Sequence, residues 1–311
     1  MLAWVRTSYG GPDVVRLEDV PEPTAGKGEL LVRVHATTVN RTDCAYRSGQ
    51  PSVNKAYCGW PRPRARMRVL GSEYAGVVEA VGLGVSSFVA GDRVFGFVDG
   101  RPGAHAELVA VSAASLVATI PDGWSFDEAA PATEGAHYAL AFPRVAGTEP
   151  GDRVLVHGAT GAIGSALVQI LVADGVSVTA VCDQPLPVDL GAAQVVTGLP
   201  TDGPYDAVCD AVGKSSYWEY RHLLGPHGSY TSSELGRGWQ NPLLALISRR
   251  VHFPLPKGGQ DVATNIRDRM SAGTFRPIVD RTYAFDDLRE AYAYVETGRK
   301  VGSVVVTLPG A

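Results

Sequence analysis

Residues 153–164 read Arg-Val-Leu-Val-His-Gly-Ala-Thr-Gly-Ala-Ile-Gly. Val154, Leu155 and Val156 form an apolar, β-branched run of the kind a buried parallel strand shows. Gly158 to Gly164 then turn the chain, and the residues from Ala162 through Gln169 to Asp174 favour a helix. Strand, glycine turn and helix together place a pyrophosphate on the amides of a helix N-terminus. Gly161 lets the backbone approach the phosphates, and Gly164 lets helix and strand pack closely. Ala159 stands where the usual fingerprint has its first glycine. The turn residues Ala159, Thr160, Gly161, Ala162, Ile163 and Gly164 are therefore candidate dinucleotide contacts. Asp183, nineteen residues past Gly164, stands where a carboxylate takes the ribose hydroxyls. A glycine-rich turn with no ligand has a similar pattern, but the strand and helix flanks favour binding.

Downstream of this unit, strands alternate with helices. Strands are expected at 177–183, 194–197, 205–210 and 229–232, with a late strand at Val251–Pro254 after a helix around Leu243–Arg249. Such alternation implies a parallel, doubly wound sheet. Helices are expected near Val262–Ala272 and Asp287–Thr297, and a last strand at Gly302–Leu308. Upstream, short apolar runs at Leu30–Val34, Gly76–Val81, Arg93–Phe97 and Ala106–Val111 are separated by Gly, Pro and Asp turns, so the first hundred residues read as β. The character changes around Pro121. Asp127–Phe142 has helical composition behind Ser125 as N-cap. No internal repeat or low-complexity tract is present.

The 311 residues suffice for two domains, and 45% hydrophobic against 19% charged content favours a large core. A net charge of −4 and a pI near 6.0 point to neither a nucleic-acid nor a membrane-surface partner. The first residues lack a basic start followed by an apolar run, and no apolar stretch approaches the ~18 residues that span a bilayer. A cytoplasmic protein is expected. Cys44, Cys58, Cys182 and Cys209 show no metal-ligand spacing and read as reduced thiols.

Further motifs extend along the chain. They are Tyr9-Gly10-Gly11-Pro12 with Leu17, Val39-Asn40-Arg41-Thr42-Asp43 with Arg47-Ser48-Gly49, and Leu70-Gly71-Ser72-Glu73-Tyr74-Ala75-Gly76-Val77-Val78. Gly91-Asp92-Arg93-Val94-Phe95-Gly96 and Tyr205–Gly213 follow. In order and spacing these resemble the medium-chain dehydrogenase/reductase superfamily over nearly the whole chain. The resemblance implies an α/β protein with a GroES-like β domain over 1–120, completed by 276–311, and a Rossmann domain over 121–275. It also implies that Ala211, Val212 and Gly213 lie at the cofactor, with Thr133, Ser232 and Ser233 beside the nicotinamide.

The superfamily divides on zinc. Its zinc enzymes place a Cys where this chain has Asn40 and a His where it has Ser72, and neither present residue is a good zinc ligand. The four-cysteine structural zinc lobe is absent too. His105, His137 and His157 lie in three separate expected elements without paired spacing. The expectation is no metal, which points to the quinone oxidoreductase-like and enoyl reductase-like branches. Without a metal to polarise a simple ketone, hydride addition to a quinone or to a carbonyl-conjugated alkene is easier, because the charge spreads and a hydrogen-bond donor can hold it. Tyr46 and Tyr57 are candidate donors, with packing under the loop as the alternative for Tyr46. Asn40 is a candidate substrate contact, although Asn40 and Asp43 also suit bracing of their loop. Glu134 and His137, spaced i, i+3, share a helix face and could bind substrate or relay a proton. A helix-start acid beside a core histidine is the equal alternative.

Between Asp183 and Gly191 the chain reads Gln-Pro-Leu-Pro-Val-Asp-Leu, where relatives carry a longer helix. Pro185 and Pro187 would break one. No Lys or Arg occurs between Arg153 and Lys214, so no cation is at hand for a 2′-phosphate. Asp183 thus leans to NADH, whereas the branch resemblance leans to NADPH. The expected activity is zinc-independent, NAD(P)H-dependent reduction of a quinone or of an alkene conjugated with a carbonyl. Rivals are a dedicated biosynthetic enone reductase, a non-redox enzyme on the same fold, and a dinucleotide-binding protein with a structural or sensing role. A homodimer is expected through the edge strand at Val251–Pro254, with Pro254 and Pro256 as residues that could blunt that edge.

Overall fold

Val154, Leu155 and Val156 are fully buried, and the parallel sheet expected around them forms. The computed structural model describes residues 1–98, 100–213, 215–236 and 239–309. Its strands are β1 (Leu2–Arg6), β2 (Val15–Asp19), β3 (Glu29–Val39), β4 (Glu73–Val81), β5 (Arg93–Phe97), β6 (Leu108–Ser112), β7 (Leu116–Thr119), β8 (Arg153–His157), β9 (Ser177–Val181), β10 (Gln194–Val196), β11 (Tyr205–Asp210), β12 (Leu224–Ser232), β13 (Val251–His252), β14 (Val279–Ala284) and β15 (Ser303–Thr307). The helices are α1 (Arg41–Ser48), α2 (Val53–Cys58), α3 (Phe126–Ala129), α4 (Thr133–Ala139), α5 (Ala141–Ala146), α6 (Ala162–Ala173), α7 (Tyr217–Tyr220), α8 (Gln240–Ile247), α9 (Gln260–Ser271) and α10 (Leu288–Glu296). None is long and apolar enough to cross a membrane.

Two units result. The first comprises Met1–Glu134, Gly258–Ser271 and Val279–Ala311, the second Gly135–Lys257 and Ala272–Ile278. In the first, a sheet runs β14-β15-β3-β4-β5-β7, with β6 also paired to β3. Alternate β3 residues Leu30, Val32 and Val34 enter a core with Tyr74, Val78, Val94, Val304 and Val306. Leu288, Ala291, Tyr292 and Val295 close that core from α10, at the i, i+3, i+4, i+7 spacing of one helix face. The sequence boundary at 120 is displaced in the structure. The segment to Glu134 stays with the first unit because Glu73 bonds the amides of Thr133 and Glu134. α9 joins it as well, packing on β7, with Gln260 Nε2 donating to Ala113 O at 2.6 Å.

The second unit is a six-stranded parallel sheet in the order β10-β9-β8-β11-β12-β13. α6 packs on β8 and β9. Two expectations change in detail and a third holds. The helix read over 127–142 is broken into α3, a 3-10 turn at Ala130–Ala132 and α4, then α5, with Pro131 in the turn. A proline lacks the N–H and crowds the preceding turn, so one continuous helix cannot form there. The strand expected at Val251–Pro254 stops at His252, two residues before Pro254, which has no N–H to give the ladder. β9 and β10 are joined by 182–193 without a helix, as the two prolines in that stretch require.

Candidate active site

The β8–α6 turn carries its specificity in the backbone. Gly158 has φ +85°, and a Cβ there would lie 2.1 Å from Val212 Cγ2. A Cβ on Gly164 would lie 2.0 Å from Gly158 O, so this glycine is what lets helix and strand touch. Gly161 differs. A Cβ there would meet only Gly158 O, at 3.4 Å, an ordinary contact. The protein itself does not demand a glycine at 161, whereas a ligand approaching the amides would. Gly161 is the N-cap of the twelve-residue α6, and no side chain caps that terminus. Thr160, Gly161, Ala162 and Ile163 are all partly exposed, and Ala159 is buried with its N–H on Val181 O. These features fit a dinucleotide phosphate on the helix start.

The remaining cofactor candidates gather at the C-terminal ends of neighbouring strands, where open α/β sheets bind ligands. Asp183 is exposed two residues after β9. Ala211, Val212 and Gly213 follow β11, and Asp210 Oδ1 accepts from the Val212 and Gly213 amides at 2.9 Å each. Asp210 is buried, and its Oδ2 accepts from Tyr230 OH at 2.9 Å. His157 Nδ1 lies 3.8 Å from Asp210 Oδ1 and pairs with Tyr220 OH. After β12, Ser232 Oγ accepts from Asn241 Nδ2 at 3.1 Å. Ser233 Oγ is buried with no hydrogen-bond partner. A buried hydroxyl left unsatisfied beside the strand ends is a further feature that suits a ligand. Lys214, a possible phosphate partner, lies outside the described residues. The Arg221 guanidinium sits over the Trp218 ring at 5.3 Å.

The first unit contributes a cluster built from side chains. Asn40 caps α1: its Oδ1 accepts from Asp43 N at 2.9 Å, and Asp43 Oδ2 accepts from Asn40 N at 3.3 Å. This reciprocal box is the loop brace the sequence suggested. Asn40 Nδ2 donates to Ser72 Oγ at 2.8 Å, so the two residues standing at the zinc-ligand positions bond to each other. Glu73 is buried: Oε1 accepts from Thr133 N, Thr133 Oγ1 and Glu134 N at 3.1, 2.9 and 2.6 Å, and Oε2 from Thr38 Oγ1 at 2.6 Å. Glu134, 7% exposed, accepts from Thr42 Oγ1 at 2.7 Å.

Burial sets the electrostatics of this cluster. It pushes Glu134 up to about 8, with the Glu73 charge adding to the shift and the Thr42 hydroxyl opposing it. Asp43 is likewise raised to about 8 by burial, against the Asn40 amide. Lys300 is lowered by burial, while the Glu134 and Glu73 carboxylates pull it back. A carboxyl held neutral near pH 7 can donate a hydrogen bond or a proton, which an ordinary carboxylate cannot. Among the described residues, no group of three or more His, Cys, Asp or Glu could hold a metal ion.

Tyr46 and Tyr57 come together, their rings stacked at 5.6 Å, with Tyr46 half-buried and Tyr57 42% exposed. His137 is 6% exposed on α4 beside the Tyr138 ring at 4.6 Å. Glu73, Thr38, Lys300 and Asp210 carry much of the geometry, yet sequence reading gave them no role. The one available signal was an acid at the first residue of β4, Glu73, and another at the last residue of β11, Asp210.

Comparison with known proteins agrees with this architecture. Residues 26–122 match the family model described as alcohol dehydrogenase GroES-like domain, and residues 162–306 the one described as zinc-binding dehydrogenase. A zinc-type alcohol dehydrogenase-like protein of Schizosaccharomyces pombe is 28% identical, over 98% of this chain and 95% of its own. The quinone oxidoreductase structure from Coxiella burnetii is 25% identical, with a TM-score of 0.86 covering 99% of each chain. A mycobacterial protein solved in complex with NADPH is 27% identical, with a TM-score of 0.79, over 99% of this chain and 100% of that one.

Proposed function

We propose that this chain, which belongs to the medium-chain dehydrogenase/reductase superfamily and is an oxidoreductase of it, works without zinc. Its reaction, on this reading, is hydride transfer from NAD(P)H to a quinone or to an alkene conjugated with a carbonyl. The observation that carries the reading is the buried Asn40–Ser72 hydrogen bond, which satisfies both side chains where zinc relatives need two metal ligands. Hydride acceptors that spread their own charge then suit the site best.

The bound dinucleotide supplies the hydride. Ala159 to Gly164 hold its phosphates, Asp183 its ribose, and Ala211–Gly213, Ser232 and Ser233 line its nicotinamide end. Tyr46 and Tyr57 donate hydrogen bonds to the acceptor oxygen, and Asn40 and Thr133 fix the surrounding walls. Glu134 and His137 hold or move the proton that completes the reduction. Asp183 selects NADH, although the NADPH complex of the mycobacterial relative stands on the other side. Following loss of reduced-nicotinamide absorbance with a panel of quinones and enones tests the activity. Turnover should persist after exhaustive chelation. Activity that vanishes with chelator and returns with zinc would overturn the zinc-free reading, and no turnover with any acceptor would overturn the reaction class.

The second unit's edge strand β13 pairs with a symmetry mate in the same reading, giving a homodimer. Leu243, Leu246 and Ile247 of the adjacent α8 are exposed, which supports a partner there. Sedimentation that finds one-chain mass across micromolar concentrations would remove the dimer.

A further inference from the structure

Residues 210–213 read Asp-Ala-Val-Gly and leave strand β11 at the corner of the second unit where β8 and β12 also end. Asp210 stands level with His157 of β8 and Ser232 of β12, and Ala211 N donates to His157 O at 3.0 Å. The Asp210 side chain is buried and directs both oxygens at this corner. Oδ1 accepts from Val212 N and Gly213 N at 2.9 Å each, and Oδ2 from Tyr230 OH at 2.9 Å. One carboxyl oxygen on two successive amides fixes the direction in which the chain leaves the strand.

The segment so fixed is wedged between two others. A Cβ on Gly158 would lie 2.1 Å from Val212 Cγ2, and a Cβ on Gly213 would lie 2.1 Å from Glu234 Cβ. Val212 thus fills the space beside the glycine turn, and Glu234 fills the space beside Gly213. Glu234 is itself tied down. Its N–H donates to Ser232 Oγ at 3.3 Å, and its carbonyl accepts from Asn241 Nδ2 at 2.8 Å. Contacts this close leave no slack, and a packed interior passes a displacement on rather than absorbing it. The spacing between the 158–164 turn and the 232–234 loop is therefore set by 211–213, and 211–213 is set by Asp210. Tyr230 adds a second constraint, because it holds Asp210 Oδ2 from the strand that leads into that loop.

We propose that Asp210 is a positioning residue for hydride transfer: without touching the cofactor, it fixes the distance between the turn that holds the phosphates and the loop that receives the nicotinamide. This rests on the reduction by NAD(P)H proposed above. In that step C4 of the reduced nicotinamide gives two electrons and one hydrogen to the acceptor, a proton completes the reduction, and NAD(P)+ remains. Reacting atoms must come within about 3.5 Å, and a misplacement of about 1 Å costs on the order of a hundredfold in rate. The phosphate turn supplies most of the affinity on this reading, so binding should survive a nicotinamide end that has lost its register.

The test separates rate from affinity, using the acceptor of the quinone and enone panel that the native protein reduces. Asp210→Ala should lower kcat on the order of a hundredfold. Calorimetric titration should keep its Kd for reduced cofactor within about threefold of native. Hydride transfer then limits turnover, so cofactor dideuterated at C4 should give a larger isotope effect on kcat than it gives with the native protein. Asp210→Asn keeps an oxygen for both amides and offers Tyr230 OH an N–H instead, and it should recover kcat to within about threefold of native. Tyr230→Phe leaves Oδ1 and both amides in place and should lower kcat a few-fold with Kd unchanged. It carries the test if Asp210→Ala loses its circular dichroism spectrum. An unchanged kcat in folded Asp210→Ala, or in Tyr230→Phe, overturns the proposal. Equal losses of kcat and cofactor affinity overturn it too, since they mark a residue needed only to form the site. So does an Asp210→Asn variant as slow as Asp210→Ala, which assigns the effect to charge rather than placement. Absence of turnover by the native protein with every acceptor overturns the reduction reading instead. The fluorescence of bound NADH then decides the positioning role. Its enhancement by an immobilised nicotinamide should be present in the native protein and lost in Asp210→Ala at saturating cofactor, and equal enhancement in both overturns the proposal.

Discussion

At the β8–α6 turn the chemistry resides in the backbone, and at the cluster around Glu73 it resides in side chains. The turn works by what is missing: Gly158 and Gly164 leave room for Val212 and a carbonyl, and Gly161 leaves the room that the proposed dinucleotide would use. The cluster works by what is present, since one buried carboxylate accepts four hydrogen bonds and organises Thr38, Thr133 and Glu134 around it. Glycines at fixed spacing leave a pattern in sequence, whereas a buried acid satisfied by residues 35 and 60 positions away leaves none.

The sharpest way to break the contrast is to add atoms to the turn. Gly164→Val drives a side chain into the Gly158 carbonyl and should cost more than about 3 kcal/mol, seen as loss of soluble protein or a large fall in Tm. Gly161→Val should stay within about 1 kcal/mol of the parent in denaturant titration. It should nevertheless bind NAD(P)H more than about a hundredfold more weakly, a difference of about 2.7 kcal/mol. Equal stability of the two variants, or unchanged cofactor affinity in the second, would show that the two glycines do not divide the work this way.

Removing the hub of the cluster comes next. Glu73→Ala removes the acceptor of the buried Thr38 hydroxyl and of two amides, leaving Thr133 Oγ1 only Gly96 O at 3.3 Å, and should destabilise the fold by about 2 kcal/mol. Glu73→Gln keeps an acceptor oxygen and should recover part of that loss. A destabilisation below about 0.5 kcal/mol in Glu73→Ala would mean that water replaces the carboxylate there.

A smaller effect lies in pH. Asp43 and Glu134 are raised to about 8 in the fold, so the folded chain holds more protons than the unfolded one between the ordinary carboxylate range and pH 8. The stability these groups contribute is complete at low pH and is lost as pH rises through 8, by at most about 1.4 kcal/mol per pH unit per group. Asp43→Asn keeps the capping-box geometry and should flatten the fall in stability between pH 6 and 8, with Glu134→Gln flattening it further; burial also raises Glu73, which retains its own share. A wild-type stability that climbs over that range would contradict the burial argument.

The smallest effect belongs to the exposed end of the turn. Asp183→Ser should weaken NADH and narrow its advantage over NADPH by a few-fold, on the order of 1 kcal/mol before screening. Tighter NADPH than NADH binding by the wild type at moderate salt would remove Asp183 as the discriminating residue.

Much of the second unit could be read before the structure, because a buried parallel strand must be apolar and a phosphate turn must be glycine-rich. The limits of β5 and β8 agree with their apolar runs. The helix-free stretch after Asp183 followed from Pro185 and Pro187. The short helices α1 and α2 could not be read, since α1 is fixed by a capping box between Asn40 and Asp43 rather than by apolar spacing. The pairing of β1 with β2, eight residues apart in the chain, depends on partners that neither run reveals. Asn40, Tyr46 and Glu134 were legible as candidates, but Glu73, Lys300 and Asp210 needed the fold to show what they touch.

The helix-free connection between β9 and β10 has an evolutionary consequence. Extending a closed loop costs little, about 0.6 kcal/mol for each doubling of its length. The 182–193 crossover contains Asp183 and leads into the sheet's edge strand β10, so a longer insert there would leave the register of β8, β11 and β12 undisturbed. Such an insert would arrive next to Asp183 with room for the cation the present stretch lacks. On the proposal that Asp183 meets the ribose, a single indel would be enough to change coenzyme choice.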